Sequence, residues 1–235
     1  CHADAVKSLI AHKADINWVS SKCENSALDI AVGVQMGQGE CGRVVRELIT
    51  QGINQDMCPE YSNVRLSSIE RSVQVGNNET LEVLLEVTTP SQIMMDKALS
   101  YASFRGNNVL VKTLLKNGAN PNSSEISVQD TPLHMAMSDH ARGRFITTQN
   151  KLDYKYEEVV NTLIQAGANV NKRNARGETP LYYAASEGAE KLVILLLDNG
   201  ADPGIKAKHG LIPVDIARKR GYDRTKPELI KMLIR

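Results

Sequence analysis

The sequence predicts an all-α solenoid in which antiparallel helix pairs stack on one another. The main observation is a fixed spacing: Pro180 and Pro213 lie 33 residues apart, and so do Gly167 and Gly200. The motif TPLHMA at 131–136 also returns as TPLYYA at 179–184. A period near 33 residues is typical of two-helix units that bury a continuous core by stacking.

The first helix of each unit is predicted from its start signal. Thr131 and Thr179 can cap a helix N-terminus, and the proline after each suits the first helical turn. The second helix follows from an apolar stripe at i, i+1, i+4 and i+5, formed by Leu192, Val193, Leu196 and Leu197. Two antiparallel helices per unit are therefore expected.

The ends of the second helices are predicted from glycine. Gly118, Gly167 and Gly200 each follow a Leu-rich or Ile-rich segment, where a left-handed residue ends a helix. Pro121 or Pro203 then prevents the helix from resuming. We expect positive φ at all three glycines, each followed by an extended finger loop.

These motifs resemble the ankyrin-repeat family most closely at TPLHMA followed by GANVN (167–171), and at TPLYYAASEG followed by GADP. The resemblance implies an ankyrin-repeat solenoid of six to seven repeats with finger loops, predicted as one domain over 1–235. The first repeat is partial and the second to fourth diverge, although Gly-Asn-Asn recurs at 76–78 and 106–108. The predicted repeats are 1–17, 26–56, 67–88, 97–122, 131–171, 179–204 and 212–235.

Where the sequence starts within a unit leads to one more expectation. Cys1 and His2 align with Gly188 and Ala189, the link between the paired helices of the sixth repeat. We therefore expect a first helix upstream in the parent protein, since an exposed stacking face is costly for a solenoid.

An insertion at 141–157 interrupts the fifth repeat and has two readings. It either lengthens the helices and packs its aromatic side chains on the solenoid, or forms a contact loop. The candidate contact residues are Arg142, Arg144, Phe145, Tyr154 and Tyr156.

Composition favours a cytoplasmic protein, or one in a host cytosol if it is a bacterial effector. The net charge is +1, so no bulk field attracts nucleic acid or a membrane surface. The longest apolar run, LVILLL at 192–197, is too short to cross a bilayer. The four cysteines lack zinc-site spacing, and we expect them to be thiols rather than disulfides.

No arrangement of residues indicates catalysis, a metal or a cofactor. His134, Asp139 and His140 form the only close His/Asp grouping, without a serine or cysteine placed for activation. Resemblance to ankyrin repeats implies instead that His134 hydrogen-bonds between neighbouring finger loops. GQGECG at 37–42 lacks the Lys-Ser/Thr of a P-loop.

The expected function is therefore non-enzymatic binding of a partner protein, as part of a larger regulatory or scaffolding polypeptide. The resemblance implies a concave face lined by fingers and first helices, and its basic residues favour an acidic partner segment. The predicted contacts are Phe104, Arg105, Arg173, Arg176, Glu178, Glu187, Lys206, Lys208, His209, Leu211, Lys219 and Arg220.

The alternative is an ankyrin-type sensor of a small molecule or oligonucleotide. Convergence of Phe104, Arg105, Tyr154 and Tyr156 into one deep pocket would favour the sensor, whereas an open groove would favour a peptide.

Overall fold

The computed structural model describes residues 2–18, 26–33, 40–53, 67–124, 128–138 and 149–234. Over these ranges it contains helices and turns but no extended strand, so the predicted all-α class is confirmed. The chain divides into two compact units, Cys1–Ala98 and Leu99–Arg235. A single domain over 1–235 stays a prediction.

The first unit pairs short helices around a small apolar core. Its helices are α1 (Ala3–Ala11), α2 (Ala27–Gly33), α3 (Glu40–Thr50), α4 (Ser68–Val75) and α5 (Asn78–Val87), and α6 (Gln92–Phe104) follows. First helix α2 packs on its partner α3 and on the next first helix, α4, while α3 contacts α1 and α5. Val32, Val45, Leu81 and Leu84 are fully buried between them.

The second unit has two layers of helices. Its helices are α7 (Asn108–Lys116), α8 (Pro132–Ser138), α9 (Gln149–Gln165), α10 (Pro180–Glu187), α11 (Glu190–Asp198), α12 (Pro213–Lys219), α13 (Tyr222–Thr225) and α14 (Pro227–Ile234). First helices α8, α10 and α12 pack in one row, and second helices α7, α9, α11 and α14 pack in another. The short helix α13 was not predicted, and it packs on α12 and α14.

Local capping explains where the helices begin. Thr179 accepts a hydrogen bond from the amide of Tyr182 ahead of α10. In the divergent repeats, Asn77 and Asn107 cap α5 and α7 in the same way, each after a left-handed glycine. A cap of this kind contributes about 0.5–2 kcal/mol. The recurring Gly-Asn-Asn motif is thus a helix–helix hinge.

Left-handed glycines end the second helices as predicted. The φ angles of Gly118, Gly167 and Gly200 are +92°, +87° and +83°. Lys13 stands at the equivalent position after α1 and also has a positive φ, +62°.

The structure corrects the expectation for cysteine. Cys41 is buried in α3 and is disulfide-bonded, so it is not the free thiol that was predicted. The other three cysteines lie outside the described residues. Their spacing carries no pairing signal, because a disulfide depends on which side chains the fold brings together.

Candidate functional site

The finger loops of the second unit form short hairpins that hydrogen-bond to one another. The amide of Asn174 donates to the carbonyl of Glu178 (3.0 Å), and an equivalent bond closes the hairpin at 207–211. Between the two fingers, the amide of Lys208 donates to the carbonyl of Arg176 (2.9 Å). The backbone therefore holds adjacent fingers in a fixed register.

A polar cluster ties the first of these fingers to α10. The Asn174 side chain donates to Asp130 (2.7 Å), and its oxygen accepts the amides of Arg176 and Glu178. The Arg176 guanidinium donates to the Glu178 carboxylate (2.9 Å) and to the Tyr183 hydroxyl (2.6 Å). Burial and the nearby Asp130 raise the pKa of Tyr183 to about 12, so the hydroxyl stays protonated.

His134 links one repeat to the next. Its Nδ1 accepts hydrogen bonds from the Thr131 amide and hydroxyl, and its Nε2 donates to the carbonyl of Glu178 (3.1 Å). Burial lowers the pKa of His134, which stays neutral. This confirms the role that the resemblance implied. With both ring nitrogens bonded internally, His134 is not placed to act as a catalytic base.

Two predicted contact residues belong to this internal cluster. The Glu178 side chain is only 11% exposed, and its carboxylate bonds to Arg176. Contrary to the prediction, Glu178 is therefore an internal residue of the finger rather than a surface contact. Arg176 remains 60% exposed, but much of its charge is offset by that carboxylate.

Three further basic residues surround Gly177. Arg173 donates from its guanidinium to the carbonyls of Gly177 and Lys206. A Cβ at Gly177 would lie 2.7 Å from the Arg173 guanidinium and 3.2 Å from Cγ of Lys208. Arg173, Lys206 and Lys208 are all exposed, and none forms an ion pair within the described part of the chain.

The remaining predicted contacts near α10 and α12 are weakly tied. His209 is exposed and bonds through Nε2 to the Tyr182 hydroxyl at 2.9 Å. Arg220 reaches Ser186 at 3.5 Å, and the same serine contacts Glu187. Lys219 is exposed and Leu211 is partly buried.

Phe104 and the insertion form packing contacts. Tyr156 is 1% exposed, and its hydroxyl donates to the carbonyl of Phe104 (3.0 Å). Contrary to the contact-loop prediction, Tyr156 is a core residue, which matches the packing alternative. Arg105 is exposed and Phe104 half-buried. Residues 149–157 belong to α9.

The other insertion candidates cannot be placed in the same way. Arg142, Arg144 and Phe145 lie outside the described residues, as does the side chain of Tyr154. With Tyr156 enclosed, its ring does not line a deep pocket with Phe104, as the sensor alternative required.

One set of surface residues was missed by the sequence reasoning. Met135, Tyr183 and Ile216 each stand one residue before a fully buried alanine in α8, α10 and α12, and each is partly exposed. Because these helices pack side by side, the three side chains form an apolar stripe across the first helices. The signal was the residue between the motif positions of TPLHMA and TPLYYA.

Two classes of site find no support within the described ranges. No group of three or more His, Cys, Asp or Glu side chains there could hold a metal ion. Among the described helices, none has the length and apolarity needed to cross a membrane.

Comparison with known proteins agrees with this architecture. The ankyrin repeat model matches residues 97–125 and 129–175, and a second model for multiple ankyrin repeats matches 163–217. The chain belongs to the ankyrin-repeat family. This ankyrin-repeat chain also resembles the solved ankyrin repeat domain of Bcl-3, with a TM-score of 0.71 and 21% identity, over 99% of this chain and 92% of that one.

Its curated relatives are longer proteins. It is 32% identical to the ankyrin repeat and KH domain-containing protein mask-1 of Caenorhabditis elegans over 94% of this chain and 9% of that protein. It is 28% identical to the E3 ubiquitin-protein ligase KEG of Arabidopsis thaliana over 66% of this chain and 9% of that protein. The B-cell lymphoma 3 protein homolog of Mus musculus is 27% identical over 75% of this chain and 37% of that protein. The ankyrin-repeat chain thus spans less than two thirds of each.

Proposed function

We propose that this chain is a non-enzymatic protein-interaction module within a larger regulatory or scaffolding protein. It binds a partner segment on a finger–helix surface of the second unit. That surface comprises finger residues 173–178 and 206–211 with the exposed positions of α8, α10 and α12. Acidic groups on the partner would meet its basic side chains.

The observation that carries the proposal is the combination of uncompensated charge with an apolar stripe. Arg173, Lys206 and Lys208 have no ion-pair partner in the described part of the chain. Tyr183 belongs to the stripe and bonds to Arg176 in the adjoining finger. Half-buried aromatic and apolar anchors with a polar rim are typical of protein interfaces.

The energetics require both parts of the surface. An exposed ion pair contributes about 0.2–1 kcal/mol, so three cations alone would bind an acidic segment weakly. Apolar anchors must supply the rest, and Met135, Tyr183 and Ile216 are the candidates. Charge then mainly accelerates association, an effect that weakens as salt rises.

A charge-reversal experiment tests this function. The tagged chain and a Lys206→Glu/Lys208→Glu variant would be used to capture proteins from extracts of the native cells, with Lys112→Glu/Lys116→Glu in α7 as a matched control of equal charge change. We expect one or more partners to be lost from the finger variant and retained by the control, with slower association at higher salt. Recovery of the same proteins by both variants would refute this binding surface.

A cytoplasmic location stays a prediction. The disulfide at Cys41 weighs against it, because cytosolic thiols are normally kept reduced. Trapping of free thiols in intact cells followed by mass spectrometry would decide the point. A trapped thiol at Cys41 would support the cytoplasm, and an untrapped residue would support an oxidising compartment.

A further inference from the structure

Helix α1 has the position of a second helix within a repeat. After it, Lys13 adopts a left-handed conformation, and the amide of Ala14 donates to the carbonyl of Leu9 (3.0 Å). The same left-handed residue and the same hydrogen bond end α7, α9 and α11. Leu9 is therefore the structural equivalent of Leu114, Leu163 and Leu196.

The burial of these equivalent leucines differs sharply. Leu114, Leu163 and Leu196 are each 0% exposed, whereas Leu9 is 59% exposed. The side chain types are identical and the backbone geometry is shared. The difference therefore lies in what packs over the helix.

An apolar cavity of about 320 Å³ lies beside Leu9. Helices α1, α2 and α3 contribute its walls, and ten of its twelve lining residues are apolar. They include Val6, Leu9, Ile30 and Val44. Ile30, on α2, is 57% exposed. We call this cavity and its exposed walls the α1–α2 groove.

The second unit shows what fills the equivalent position. Helix α10 packs at once against its partner α11 and against first helices α8 and α12 on either side. It buries Leu181, Ala184 and Ala185, whose small alanines allow close approach. By contrast, α2 packs against first helix α4, and its residues Ala27, Ile30 and Ala31 line the groove.

We propose that the α1–α2 groove is a docking site for a short amphipathic α-helix with small residues on its buried face. The occupant continues the stacking interface that α2 already makes with α4, in the place a first helix has in the other repeats. The lengths of α8 and α10 set its size at seven to eight residues. Docking covers Leu9 as its equivalents are covered.

A tethered copy of such a helix tests the proposal in the full chain. Residues 178–187 would be duplicated directly ahead of residue 1, since the following two residues align with the link after α10. Tethering raises the effective concentration of a helix that is too short to be stable alone. Trp18, the single tryptophan, is 67% exposed and lies three residues after groove residue Asp15, so its emission reports docking.

We expect the tethered copy to raise the melting temperature of the first unit by about 4 °C or more and to shift Trp18 emission to shorter wavelength. The matched control carries arginines in place of both alanines of the copy. A second control is Leu9→Asp, which the untethered chain tolerates because Leu9 is largely exposed there. Both controls should abolish the effects.

Two outcomes would overturn the proposal. One is an unchanged melting temperature, or a rise that persists in both controls. The other is stabilisation by dodecanoate, an apolar small molecule, when the tethered helix has no effect. That result would make the groove a ligand pocket, since about 320 Å³ is within the ~300–1,000 Å³ typical of such sites.

Discussion

Replacing His134 by alanine should strongly destabilise the second unit. The imidazole is fully buried and bonds to Thr131 within its own repeat and to the carbonyl of Glu178 in the next. Without the ring, the Thr131 amide and the Glu178 carbonyl lose a buried partner. Each unsatisfied group costs about 1–3 kcal/mol, so we expect a loss of about 2–6 kcal/mol. That is a large share of the ~5–15 kcal/mol that stabilises a typical domain.

The same contacts make the stabilisation dependent on pH. Protonation would place an N–H on Nδ1 facing the Thr131 amide, and burial already lowers the pKa of His134. The unfolded chain therefore binds a proton before the folded chain does, as pH falls below about 6.5. The contribution of His134 is complete above that pH and decreases below it, by up to about 1.4 kcal/mol per pH unit.

Urea unfolding followed by far-UV circular dichroism measures both effects. The wild type, His134→Ala and the exposed-site control His209→Ala would be compared from about pH 7.5 to about pH 5.5, where the difference due to His134 should shrink. A constant difference across this range would refute the argument that His134 is held neutral. A loss below about 1 kcal/mol at pH 7.5 would refute the count of unsatisfied groups.

Three further predictions concern stability and are checked by the urea midpoint of each variant. Arg176→Ala should cost about 1–3 kcal/mol, because it strands a buried carboxylate, whereas Lys206→Ala should change stability by less than about 0.5 kcal/mol; equal effects would contradict the cluster. Gly177→Ala should cost about 1–3 kcal/mol more than Gly200→Ala, since both have positive φ but only the first places a Cβ 2.9 Å from a backbone nitrogen; equal losses would count against this clash. Tyr156→Phe should cost about 1 kcal/mol by removing its hydrogen bond to a backbone carbonyl, and an unchanged midpoint would show that water replaces the hydroxyl.

The sequence by itself determined the features that depend on neighbouring residues. Thr179 caps a helix through an amide three residues away, and Gly200 ends one because only glycine adopts its conformation without strain. The same short-range chemistry made the Gly-Asn-Asn motif legible in the divergent repeats. A strict period near 33 then extended these local signals to the class of fold.

Tertiary structure decided which side chains remain available to a partner. Glu178 looked like a surface residue, but Asn174 and Arg176 enclose it once the finger folds. Tyr156 became a core residue because its hydroxyl meets the carbonyl of Phe104, 52 positions earlier in the chain. Such contacts join residues that no local pattern relates, and their burial depends on how successive repeats stack. The repeat was therefore readable from the sequence, whereas the surface it presents required the assembled helices.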